Sequence, residues 1–394
     1  MKGVSQHDTA TVFWGGPVLI DGEARRGLAV VVEGGRVRRV EPEARRARSR
    51  ARRSVDLDGA HLAPGLVDIH THGAIGIDFY RADREGLERA VSEHYLPLGV
   101  TSLLVSLYPG PRREFLATVE RLAGDIRSGA GRGAIAGFHL EGPFLNPKKP
   151  GALPSKAFAP IDLRSAAALI DAAGGLARTM TVAAELPRGS ELVRLLRKRR
   201  VRPFLGHTDA DFETAAGAFR RGVKAVTHLF NALNGIHHRA PGPATAALLD
   251  PSVAVELIAD GFHVHPAVLK LVLAVKPPSK VCLVSDSVAP AGLRQGRYDF
   301  AGAPVKLQGG RVTLLDGTLA GSALTLDHAI RMVAFECGAG LPHAVQMATA
   351  SPADAAGIAG AGRIQAGACA NFAVLDAKGR VRATYLRGER VFER

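Results

Sequence analysis

Two histidines stand two residues apart at the end of an apolar run, Pro64-Gly65-Leu66-Val67-Asp68-Ile69-His70-Thr71-His72-Gly73. On a β-strand, residues i and i+2 point to one side. His70 and His72 would therefore project together where the strand runs out. Imidazole is the commonest side-chain ligand for transition metals, so the pair reads as half of a metal site. A turn carrying two solvated histidines is the plain alternative. Other donors sit in the same setting, each just past an apolar run: Glu141 in His139-Leu140-Glu141-Gly142-Pro143-Phe144, His207 in Gly206-His207-Thr208-Asp209, and His228 in Thr227-His228-Leu229-Phe230-Asn231-Ala232. His263 in Asp260-Gly261-Phe262-His263 and Asp286 in Ser285-Asp286-Ser287 complete the set.

These positions need a scaffold that brings strand ends together. The apolar runs 66–70, 100–107, 134–140, 179–184, 201–206, 223–227, 253–258 and 280–285 have strand length. Helical periodicity separates them in stretches such as 83–96, 111–127, 161–173, 189–200, 209–221 and 265–275. Leu87, Ala90, Val91, His94 and Tyr95 illustrate the three- and four-residue spacing of one helical face, and Asp209 is read as the N-cap of 209–221. Eight strand–helix units predict a parallel sheet closed into a (β/α)8 TIM barrel. Near-continuous apolar strands agree, because barrel strands are buried on both faces. Active sites of such barrels lie at the C-terminal ends of the strands. Four histidines and two carboxylates from five strands would meet at that rim.

Both ends of the chain have a different texture. Residues 10–64 read as short strands, with Gly34-Gly35 as a hairpin turn, and strands resume from Gly362. The expectation is a small β-sandwich domain from 1–63 and 362–394, enclosing a barrel over 64–361. Between barrel and tail, 298–320 is turn-rich and strand-like, with helical patterns at 322–338 and 342–349. His61, His94, His265, His328 and His343 fall in loop or helical patterns and read as structural.

Composition sets the outer limits. The 394 residues are 46% hydrophobic and 22% charged, enough for a large core. The net charge of +14 favours anionic partners. The run Arg45–Arg53 holds six arginines, but no aromatic residue is interleaved for base stacking, so it reads as a solvated loop or short helix. Cys282, Cys337 and Cys369 are far apart, without a C-x-x-C, which fits a reducing cytoplasm. No apolar run approaches a membrane span of ~20 residues, and no signal-peptide core is seen. No nucleic-acid or membrane partner is expected.

Neutral imidazoles with ionised carboxylates suit Zn²⁺ or Fe²⁺, and such ions make water a nucleophile at neutral pH. Hydrolysis is the default chemistry. At these residues the sequence resembles the amidohydrolase superfamily, and within it the N-acetylglucosamine-6-phosphate deacetylases. The stretches are PGLVDIHTHG (64–73), HLEGPFLNPKKPGA (139–152), GHTDA (206–210), THLFNALNGIHHRAPG (227–242), IADGFH (258–263), VSDSVAPAGL (284–293) and DGTLAGSALTLDHAIR (316–331).

The resemblance implies metal-dependent hydrolysis of N-acetylglucosamine 6-phosphate, a linear amide, to glucosamine 6-phosphate and acetate. It implies Glu141, His207 and His228 as ligands of one divalent ion, Zn or Fe. His70 and His72, with Glu141 and Asp286, would hold a second, giving one or two ions per subunit. Asp286 would be general base and then general acid. Asn231, Ala232, His238, Arg239 and His263 would bind the substrate, with Arg239 reaching a neighbour's phosphate in a homodimer. One departure stands out. Many relatives carry a substrate-contacting histidine where this chain has Leu153, which leaves another N-acylated amino sugar or N-acyl amine as the rival substrate.

Overall fold

The computed structural model describes residues 10–44 and 53–394. The basic run therefore lies outside the described residues, apart from Arg53. Eight strands form one parallel sheet in chain order: Leu66–Thr71, Val100–Leu107, Ile135–Glu141, Ala177–Val182, Arg202–Leu205, Ala225–Val226, Ala254–Leu257 and Val281–Leu283. The ring closes between the last strand and the first. The Asp286 N–H donates to the His70 carbonyl at 2.8 Å, and the His72 N–H donates to the Ser287 carbonyl at 2.7 Å. A buried polar seam reinforces this join. Asp68 accepts the Ser285 hydroxyl at 2.6 Å, and Thr71 Oγ1 contacts the hydroxyls of Tyr95 at 2.6 Å and Ser287 at 2.7 Å.

Helices such as Arg112–Arg127, Leu163–Ala172, Gly189–Lys198 and Phe212–Arg221 cover the outside. Each buries an apolar stripe, such as Phe115, Val119 and Leu122 on the first of them, against strands apolar on both faces. The helix Phe212–Arg221 is capped by Asp211, whose side chain accepts the Thr214 N–H. Asp209, the expected cap, instead faces Lys148 and Asn234. His61 lies on a strand, His61–Pro64, rather than in a loop.

The two ends of the chain meet in a β-sandwich beside the barrel. One sheet interleaves them, with Phe372–Leu375 antiparallel to His61–Pro64. The other joins Thr11–Trp14 to Leu28–Glu33 and Arg53–Asp56. Phe13, fully buried, packs edge-on against Phe372 at 5.1 Å and Tyr385 at 4.9 Å between ring centroids. It pins N-terminal to C-terminal strands. Phe13→Ala is expected to destabilise the protein by about 3–5 kcal/mol, as for other buried aromatic truncations. The measurement is the urea midpoint, and a shift below about 1 kcal/mol would deny Phe13 that role.

Candidate metal centre

Where the strands end, the backbone turns sharply. His207, His228 and Asp286 have φ of 47°, 30° and 48°. Non-glycine residues at positive φ are uncommon and cluster where a site needs them. The turn swings each side chain over the barrel mouth. Gly321, at φ +59°, makes room beside Asp286, since a Cβ there would sit 3.0 Å from the Asp286 carbonyl oxygen.

Six side chains converge. His207 Nε2 and His228 Nε2 each lie 3.2 Å from Glu141 Oε1 and 3.1 Å from one another. His70 Nε2 and His72 Nε2 are 3.2 Å apart, and each is 3.4 Å from Asp286 Oδ1. Glu141 joins the two groups, with Oε2 at 3.3 Å from His72 Nε2 and Oε1 at 3.6 Å from His70 Nε2. Thus Glu141–His207–His228 and His70–His72–Asp286 are two triplets of potential ligands sharing one carboxylate edge.

The donor set fits a cation. His207 Nδ1 faces the Lys149 carbonyl at 2.9 Å. A carbonyl only accepts, so Nδ1 carries a proton and Nε2 is the nitrogen left to serve as a ligand. That nitrogen lies 3.2 Å from a carboxylate oxygen. His70 Nδ1 likewise faces the Glu256 carboxylate at 3.0 Å, which turns its Nε2 toward His72 and Asp286. Lone pairs that face each other at 3.1–3.4 Å need positive charge between them. Ligands at ~2.0–2.1 Å from a tetrahedral Zn²⁺ would be ~3.3 Å apart.

The electrostatics agree. Burial disfavours charge on His70, but Asp286, Glu256 and Glu141 outweigh it and push its pKa up to about 10. Burial also opposes charge on Glu141, yet His70 and bonds from His207, His228 and His72 hold its carboxyl well below the usual range. Without an ion, protons must supply the charge, and binding an ion would release them. Burial pushes Asp68 up to about 6, with bonds from Ser285 and His70 offsetting part of the effect. His139 is no ligand: Ser106 and Thr181 hold its two nitrogens at 2.9 and 2.8 Å. Burial keeps it neutral, and its ring wedges edge-on under His70 at 4.4 Å.

The triplets open into a cavity of about 220 Å³, also lined by Leu153, Asn231, Ala232, His263, Phe300 and Leu319. A larger hollow of about 550 Å³, bordered by Asp78, Arg81 and Tyr298, includes none of the six convergent residues. His263 Nδ1 is 2.7 Å from Asp260 Oδ2, leaving Nε2 for the cavity. Asn231 donates to the His228 and Leu229 carbonyls at 3.2 and 3.3 Å. His238 and Arg239 are exposed and are not part of this cavity in their own chain. Two residues escaped the sequence reading. Glu256 is buried in the seventh strand behind His70, and Asp260 holds His263. Asp260 had a signal in its i, i+3 spacing to His263, whereas Glu256 had none.

Comparison with known proteins agrees with this geometry. A sequence profile of the amidohydrolase family matches residues 61–391. The chain is 32% identical to N-acetylgalactosamine-6-phosphate deacetylase of Escherichia coli O157:H7, over 84% of this chain and 88% of that one. It is 37% identical to N-acetylglucosamine-6-phosphate deacetylase of Bacillus subtilis, over 68% and 69%. Among solved structures it resembles a mutant N-acetyl-D-glucosamine-6-phosphate deacetylase of Mycobacterium smegmatis in complex with N-acetyl-D-glucosamine-6-phosphate. The TM-score is 0.90 at 32% identity, covering 97% of this chain and 99% of that one.

Proposed function

The chain belongs to the amidohydrolase family, and from that premise we propose that it deacetylates N-acetylglucosamine 6-phosphate to glucosamine 6-phosphate and acetate. The observation that carries this reading is the pair of ligand triplets, with Glu141 of one 3.3 Å from His72 of the other, at the mouth of a small cavity. The expected ion is Zn²⁺ or Fe²⁺, one per triplet, by the chemistry of the donors. Such an ion polarises the acyl carbonyl and activates water.

The chain's own groups do the rest. Asp286, 11% exposed at its side chain where His70 and His72 are nearly sealed, takes the proton of the attacking water. It then returns a proton to the departing amine. Asn231, the Ala232 backbone and His263 line the cavity and bind the sugar. Leu153 cannot donate a hydrogen bond, so this position offers no side-chain donor to the carbonyl, and ions held by the two triplets would supply that polarisation. His238 and Arg239, turned outward, reach the phosphate in the neighbouring subunit of a homodimer. The guanidinium fork matches phosphate oxygens in pairs. Among the described residues no helix is long and apolar enough to cross a membrane. The three unpaired cysteines suit a cytoplasmic location.

The test is acetate release by the metal-loaded protein from N-acetylglucosamine 6-phosphate, its galactosamine epimer and unphosphorylated N-acetylglucosamine. The first is expected to be fastest. Metal bound with no release from any of them would overturn the reading, and a faster epimer would move the assignment to the galactosamine ester. Arg239→Ala is expected to raise KM for the phosphorylated sugar ~10–100-fold, the value of a charge-assisted pair. It should leave the slow reaction of the unphosphorylated sugar unchanged. Equal losses on both would remove Arg239 from phosphate recognition.

A further inference from the structure

The seventh barrel strand, Ala254–Leu257, carries a carboxylate that the reaction above does not use. Glu256 is 1% exposed. Its Oε2 is 3.0 Å from His70 Nδ1 and accepts the His228 backbone N–H at 3.1 Å. Its Oε1 has no hydrogen-bond partner. A buried carboxylate with one oxygen unsatisfied is costly unless positive charge lies close by. Its two bonds lead to different places. His70 belongs to one triplet and His228 to the other.

We propose that Glu256 is a positioning residue that fixes His70 as a ligand and makes the filling of the His70–His72–Asp286 triplet depend on it. The proposal rests on reading the cluster as a divalent-metal centre. A carboxylate on Nδ1–H fixes the tautomer, orients the ring and makes Nε2 a stronger donor. His70 is the one histidine of its triplet so supported, because His72 Nδ1 has no partner. Across the cluster, His207 has only a backbone carbonyl behind it, and Glu256 touches His228 through the main chain alone. Loss of the Glu256 charge should therefore weaken one ion far more than the other.

The experiment is equilibrium dialysis of the metal-stripped full chain against graded Zn²⁺, with elemental analysis of the bound ion. Thermal melting without metal controls for folding. Wild type is expected to take two ions. Glu256→Gln keeps the size and an acceptor oxygen but removes the charge. It should bind one ion as wild type does and the other, the one that His70→Ala loses, 10–100-fold less tightly. His70→Ala, which deletes the ligand itself, should take one ion. Should Glu256→Gln fail to fold, Glu256→Asp is the second variant. It keeps the charge with a shorter reach, and the same selective loss is expected. Unchanged affinity for both ions, or equal weakening of both in a folded variant, would overturn the proposal. Wild type binding a single ion would overturn it too, while wild type binding none would sink the metal centre itself.

Discussion

Asp286→Asn is expected to keep an ion at Glu141–His207–His228, to which Asp286 does not belong, and to lose turnover by ~10²–10⁴-fold, the range for a positioned acid–base group. The amide keeps the volume of the side chain and an oxygen toward His70 and His72, now 3.4 Å from Asp286 Oδ1. It cannot accept a proton at neutral pH. The backbone should tolerate the change. Residue 286 sits at φ 48°, where asparagine is among the more accepted residues, and its N–H and carbonyl are held by His70 and Ser322. Initial rates of acetate release and elemental analysis on the same sample separate the outcomes. A full rate would remove Asp286 from acid–base chemistry. Loss of metal in step with turnover would make it a ligand only.

Glu141→Gln is expected to empty the centre and to abolish measurable activity. Both carboxylate oxygens are engaged, Oε1 with His207 and His228 at 3.2 Å and Oε2 with His72 at 3.3 Å. The residue is 2% exposed. A glutamine would turn either an N–H₂ group or a neutral oxygen toward each ion. Ions held there would supply several kcal/mol of transition-state stabilisation. At about 1.4 kcal/mol per tenfold, their loss corresponds to at least ~10³-fold in rate. Chelator-treated wild type should match the variant, and added Zn²⁺ should restore wild type alone. A Glu141→Gln protein that retains two ions would deny the shared-ligand role.

The convergent donors are legible in the sequence because each falls where an apolar run stops, and a parallel barrel gathers those points at one rim. His70 and His72 announce themselves by two-residue spacing. Glu256 is silent: within Val253-Ala254-Val255-Glu256-Leu257-Ile258 it reads as an interruption of a buried strand. Its partner His70 is 186 residues away. The cap of Phe212–Arg221 was misplaced because Asp209 and Asp211 offer the same chemistry, and only geometry tells which one reaches Thr214. The helix Pro243–Leu249 is Pro-Ala-Thr-Ala-Ala-Leu-Leu, with no polar face to mark a period. In Ala350–Ala356, Pro352 looks like a breaker but occupies the first turn, where proline is tolerated. How Arg239 meets a phosphate depends on a second chain, and one chain's pattern cannot encode that geometry.

The seam where the last strand meets the first has a consequence for the birth of the molecule. The Asp68–Ser285 bond spans 217 residues, a long-range contact of the kind that forms slowly. Chains emerge from the N-terminus at about 5–20 residues per second. Glu141, His207 and His228 are all present well before the eighth strand appears. His70 and His72 wait for Asp286, and the hydrogen bonds that bring them together are those that shut the ring. Glu141, His207 and His228 thus precede the proposed base in the chain, which arrives last. A partly made copy has no competent site, so hydrolysis begins only when the barrel is whole.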